Sequence, residues 1–104
     1  MEQAVIVHIK LNADQFGSSQ EREAVFALED QLEASIADGG AGEFDGDEFG
    51  DNKCVLFMYG PDADRLFTII EPILKSTPLA SGGYAIKRYG EASDPNASEV
   101  RVTW

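Results

Sequence analysis

Few side chains here have chemistry to offer. There is one histidine, His8, and one cysteine, Cys54. A cysteine nucleophile needs a nearby base and something to lower its pKa. Cys54 instead opens the apolar run Cys54-Val55-Leu56-Phe57-Met58, where a free cysteine behaves as a small buried hydrophobe. If the first and third strands pair, Cys54 comes near His8, but sharing a sheet does not put two residues on one face. One His and one Cys also fall short of a tetrahedral zinc site, and CxxC or HxxxH spacing is absent. The expectation is no catalytic residue, no metal ligand and no cofactor, with His8 a half-buried strand residue.

The stretch Glu43-Phe44-Asp45-Gly46-Asp47-Glu48-Phe49-Gly50-Asp51 invites comparison with a calcium loop. Setting Asp45 and Asp47 at positions one and three puts Phe49 at five and Leu56 at twelve, where a bidentate Glu is required. The match fails, and an edge strand protected by charge is the plainer reading. Its carboxylates, Glu43, Asp45, Asp47, Glu48 and Asp51, form one candidate partner surface. Gly39-Gly40-Ala41-Gly42 is glycine-rich but follows a helix, the reverse of the order a phosphate cradle needs. A second candidate interface gathers Tyr84, Lys87, Arg88, Tyr89, Arg101 and Trp104 on a terminal hairpin, residue types that either stabilise a hairpin or favour an interface.

Charge restricts the partners. The chain has 104 residues, with nineteen Asp and Glu against eight Lys and Arg, for a net charge of −11. Affinity for nucleic acid comes from clustered cations, so neither nucleic acid nor an anionic membrane is expected as a partner. Nor does the start of the chain read as a signal peptide, and no apolar run approaches membrane-spanning length. A reducing cytoplasm is the expected setting. With 43% hydrophobic residues the chain is acidic without being disordered, and its length suits a single domain over 1–104.

The elements that must position these residues follow from periodicity. Over 3–11, Val5, Val7, Ile9 and Leu11 share one face of a central strand, with Ala4, Ile6, His8 and Lys10 on the other. Ser18 and Glu21 form a capping box that opens a helix, Val25, Leu28, Leu32 and Ile36 give it an apolar stripe, and Gly39-Gly40 ends it. Residues 42–59 read as a hairpin with Gly50-Asp51 as its turn, which sets Glu48 opposite Lys53, Phe44 opposite Phe57 and Asp47 opposite Cys54. Asp45-Gly46 is an alternative bulge or earlier turn. A second helix carries Leu66, Ile69, Ile70, Ile73 and Leu74, and Pro72 within it predicts a kink near Thr68–Glu71 or a helix in two pieces. Strands over 83–89 and 99–104 close the chain.

The order β-α-β-β-α-β plus a strand predicts an α+β fold, a ferredoxin-like plait whose antiparallel sheet carries two helices on one face. The segments Gly42-Glu43-Phe44-Asp45-Gly46, Phe57-Met58-Tyr59-Gly60-Pro61-Asp62-Ala63-Asp64 and Lys87-Arg88-Tyr89-Gly90 resemble a group of small uncharacterised bacterial proteins of ferredoxin-like fold. The resemblance implies that fold and a bacterial source, and it brings no catalytic residues. RNA-recognition domains share the element order, but Lys53–Tyr59 lacks their glycines and the net charge opposes them.

Functionally, the sequence favours a non-catalytic acidic module that binds a cationic protein, an inhibitor of a basic enzyme being one form. The alternatives are a small-ligand site or enzyme on the open sheet face, drawing on His8, Cys54 and Tyr84, or a homodimeric scaffold. Acidity as a solubility or high-salt adaptation is the plainest explanation of the charge. Clustering of the acidic residues on one face would separate these readings.

Overall fold

The computed structural model describes residues 2–12 and 17–104. Five strands, β1 (Gln3–Lys10), β2 (Glu43–Gly50), β3 (Lys53–Gly60), β4 (Tyr84–Arg88) and β5 (Glu99–Val102), form one antiparallel sheet in the order β2-β3-β1-β4-β5. Two helices, α1 (Ser19–Gly39) and α2 (Ala63–Ser76), complete the α+β architecture, with a short 3-10 turn at Pro78–Ala80. No helix among the described residues is long and apolar enough to cross a membrane.

Strand alternation sorts the molecule into layers. Val5, Val7 and Ile9 of β1, Cys54, Leu56 and Met58 of β3, and Ala85 of β4 are buried on one face. They share a core with Val25, Leu28, Leu32 and Ile36 of α1 and with Leu66, Phe67, Ile70 and Leu74 of α2. Each fully buried side chain of this size stabilises the fold by about 1.5–3 kcal/mol relative to exposure. The opposite face, with Ile6, His8, Val55, Phe57, Tyr84 and Ile86, is only half-buried.

The ends of α1 are fixed as the sequence predicts. Ser18 Oγ accepts from the Glu21 N–H, and Glu21 Oε1 accepts from the Ser18 N–H, both at 3.1 Å. Glu21 Oε2 also accepts from the Asn12 N–H at 2.7 Å, tying the helix start to the end of β1. Gly40 adopts the left-handed conformation that ends the helix. The last turn of α1 has no basic residue of its own, and Arg65 of α2 donates to the Gly39 carbonyl instead.

Two expectations about the elements are corrected. The β2–β3 turn is Asp51-Asn52, with φ of 52° and 61°, so Gly50 pairs with Lys53, Glu48 with Val55 and Asp47 with Leu56. Asp and Asn tolerate the left-handed region that a two-residue turn requires, so the glycine before them was not needed there. The register then shifts between Phe44 and Gly46, a bulge at the anticipated place. Because one extra residue reverses the side-chain alternation, Phe44 lies opposite Met58 and packs on the core rather than facing Phe57.

The second correction concerns α2, which is one helix from Ala63 to Ser76 with Pro72 inside it, rather than a helix in two pieces. Pro72 and Thr68 are both exposed, so the carbonyl that loses its hydrogen bond faces water. The buried stripe on the far side holds the helix together, and it includes Phe67, which the sequence reading passed over.

Candidate functional site

The acidic residues are not spread evenly. Residues 19–51, which span α1, β2 and the start of the turn, hold eleven of the nineteen acidic residues and one of the eight basic ones. This segment therefore carries −10 of the net −11. Helix α1 packs beside β2, the edge strand of the sheet, and the two meet through side chains. Phe26 of α1 and Phe49 of β2 make an edge-to-face contact with ring centroids 6.0 Å apart. Phe26 is nevertheless 49% exposed, a large aromatic left in water among carboxylates.

One turn further along α1, Glu29 lies against Asp47 of β2. Burial raises the Glu29 pKa most, followed by a hydrogen bond with Asp47 and repulsion from Asp47, Asp30 and Glu33, which together push it up to about 8. Glu29 therefore holds a proton at neutral pH, and its Oε2 is buried without a hydrogen-bond partner among the described residues. A guanidinium or ammonium brought to the exposed Asp47 carboxylate would favour ionisation of both carboxyls.

The uncovered sheet face differs in character. His8 and Tyr84 stack with ring centroids 4.5 Å apart and planes 8° from parallel. The Arg101 guanidinium covers the Tyr84 ring at 3.8 Å from its centroid. The His8 pKa is lowered, first by burial and then by the charges of Lys53 and Arg101, so the ring is neutral at neutral pH. Its Nδ1 has no hydrogen-bond partner among the described residues.

The residues singled out from sequence are rearranged by this geometry. Cys54 pairs with Ile9 on the covered face, whereas His8 pairs with Val55 and Tyr84 on the open one. The two therefore cannot act as a catalytic couple, and burial pushes the Cys54 thiol up to about 12, far from a reactive thiolate. The five carboxylates of 43–51 are all exposed, but only Asp47 joins Glu29, while Glu48 and Asp51 border a depression on the open face with His8, Lys53 and Phe57.

The aromatic and basic terminal patch divides. Tyr84 and Arg101 stack on the open face. Lys87 and Tyr89 reach Asp64 at the start of α2, at 3.0 and 2.6 Å, and these hydrogen bonds, Tyr89 before Lys87, lower the Asp64 pKa. Arg88 donates to the Gly90 carbonyl, and the Trp104 indole donates to the Ala80 carbonyl. A strand sends alternate side chains to opposite faces, so residues adjacent in sequence cannot form one patch. Phe26, Glu29, Lys10 and Lys53 were missed. Phe26 alone left a trace, an aromatic lying off the apolar stripe of α1.

No family model matches the chain, and no curated protein or solved structure matches it. Among the described residues, no group of three or more His, Cys, Asp and Glu side chains gathers as a metal site would require.

Proposed function

We propose that this protein is a non-catalytic binding module that docks a cationic protein on the face formed by α1 and β2. The observation that carries the reading is the Phe26–Phe49 pair set within the segment that holds nearly all of the net charge. Interfaces are anchored by aromatic side chains at their centre, while surrounding charge steers the encounter and selects the partner. Solubility requires charge but no exposed phenylalanine within it. The Glu29–Asp47 pair gives a partner Arg or Lys a specific place to bind. An inhibitor of a basic enzyme is one form such a module takes.

The partner approaches through side chains rather than by adding a strand. Edge strand β2 carries a bulge and a row of carboxylates, both of which oppose strand addition. In the same reading the fold is a ferredoxin-like plait extended by β5, and the chain works in a reducing cytoplasm.

Affinity capture from the source cell tests the proposal. The expected result is a high-pI protein retained by the wild type and by Arg101→Ala but lost with Phe26→Ala and with Asp47→Asn. Phe26→Ala leaves the net charge unchanged, so its failure to bind isolates the aromatic anchor. Equal retention by all four proteins would overturn the assignment of this face.

A further inference from the structure

Five of the eight cations have a polar partner. Arg22, Arg65 and Arg88 donate to backbone carbonyls, and Lys75 and Lys87 pair with Glu71 and Asp64. The other three, Lys10, Lys53 and Arg101, make no ion pair or hydrogen bond among the described residues. All three line one cleft of 310 Å³ at the end of the open sheet face, together with His8 and Tyr84. Sequence distance hides this convergence, because β1, β3 and β5 bring in one cation each.

Like charges gathered in excess of their counter-charge repel one another, and an anion relieves that repulsion. The cleft has features of a prepared site. Arg101 is stacked on Tyr84, which limits the freedom of its guanidinium, and the fork of a guanidinium matches two oxygens of an oxyanion. Lys10 and Lys53 add mobile point charges. Gly82 and Gly83 form part of the wall, so no side chain blocks that side. Asp51 also borders the cleft. With His8 neutral, three cations against one carboxylate leave two positive charges in excess.

We propose that this cleft binds a doubly charged oxyanion, the phosphoryl group of a small phosphorylated molecule, between Arg101, Lys53 and Lys10, with His8 at its edge. The site is independent of the acidic face proposed above, and either can fail without the other. Bound phosphate offsets the repulsion that Lys53 and Arg101 exert on protonated His8, so it raises the His8 pKa. The carboxylates of Glu48 and Asp51 also lie near His8, and the Tyr84 ring stacks on it.

His8 is the only histidine, so its imidazole carbon-bound protons give an isolated NMR signal for the test. Inorganic phosphate is titrated into the full chain near pH 7.5 at constant ionic strength. The expected result is a saturable shift with Kd of about 1 mM or tighter, accompanied by a rise in the His8 pKa. Arg101→Lys keeps the charge but loses the fork, and is expected to weaken binding about tenfold. Lys53→Ala is expected to weaken it comparably, and Lys75→Ala to leave it unchanged. Acetate, which offers a single charge, is expected to bind more weakly than phosphate. A non-saturating shift, the same shift with chloride, or binding by Arg101→Lys and Lys53→Ala as tight as by the wild type would overturn the proposal. Acetate binding as tightly as phosphate would overturn the phosphoryl assignment in favour of a carboxylate ligand.

Discussion

The α1–β2 face and the open end of the sheet are built in opposite ways from the same kind of conflict. Each crowds charges of one sign. On the acidic face the conflict is relieved within the protein, because Glu29 keeps its proton beside Asp47. At the cleft the conflict falls partly on His8, which gives up its proton more readily beside Lys53 and Arg101. The comparison shows that net charge describes neither surface. A molecule of net −11 can hold a cationic cleft, because one contiguous segment carries almost all of the excess.

The strongest way to break the comparison is to remove the support the two surfaces share. Leu32 is fully buried and joins α1 to the sheet. Leu32→Ala is expected to destabilise the fold by about 3 kcal/mol, within the usual range for a buried leucine. Urea melts followed by helical circular dichroism and by Trp104 fluorescence should give coincident transitions at a lower midpoint. Separate transitions would mean that the surfaces belong to independent units.

The titrations sharpen the contrast, since they have opposite signs. Glu29 has a folded pKa of about 8 against an ordinary value of 4.5. Between these values the folded state holds a proton that the unfolded state has lost. Stability contributed by Glu29 is therefore full below about 4.5 and declines as pH rises towards 8. Glu29→Gln is expected to flatten that slope and to raise the thermal midpoint at pH 9 relative to wild type.

His8 works the other way. Its folded pKa lies below the ordinary 6.5, so the unfolded state takes up the proton first as pH falls. Stability is expected to decrease with acidification below about 6.5, and His8→Phe to remove that part of the decrease. The effect is smaller than that of Glu29, where a hydrogen bond with Asp47 and repulsion from Asp47, Asp30 and Glu33 add to burial. Thermal midpoints of both variants across pH 4–9 check both signs, and slopes of the same sign would contradict the account.

The elements were largely legible in the sequence, and the sites were not. The ends of α1 could be read because Ser18, Glu21 and Gly40 act within a few residues of one another. The edge position of β2 followed from local composition, whereas Asp45-Gly46 read equally as a bulge or an earlier turn, and the structure has the bulge. The hairpin register was misplaced because three adjacent residues, Gly50, Asp51 and Asn52, all suit a turn, and local propensity does not choose between them. Pro72 does not divide α2, because it and Thr68 lie on the exposed side of the helix, which local sequence does not show. Both surfaces depend on pairings between distant segments. Glu29 meets Asp47 only because α1 lies beside the edge strand, and Lys10, Lys53 and Arg101 meet only through strand order.

The central claim is that recognition resides on the α1–β2 face. Backbone amide chemical-shift mapping of the chain with its captured cationic partner tests this most directly. The account predicts shifts confined to the outer side of α1 and to β2, centred on Phe26, Glu29, Asp47 and Phe49. Shifts centred instead on His8, Tyr84 and Ile86 would contradict it and place the partner on the open sheet.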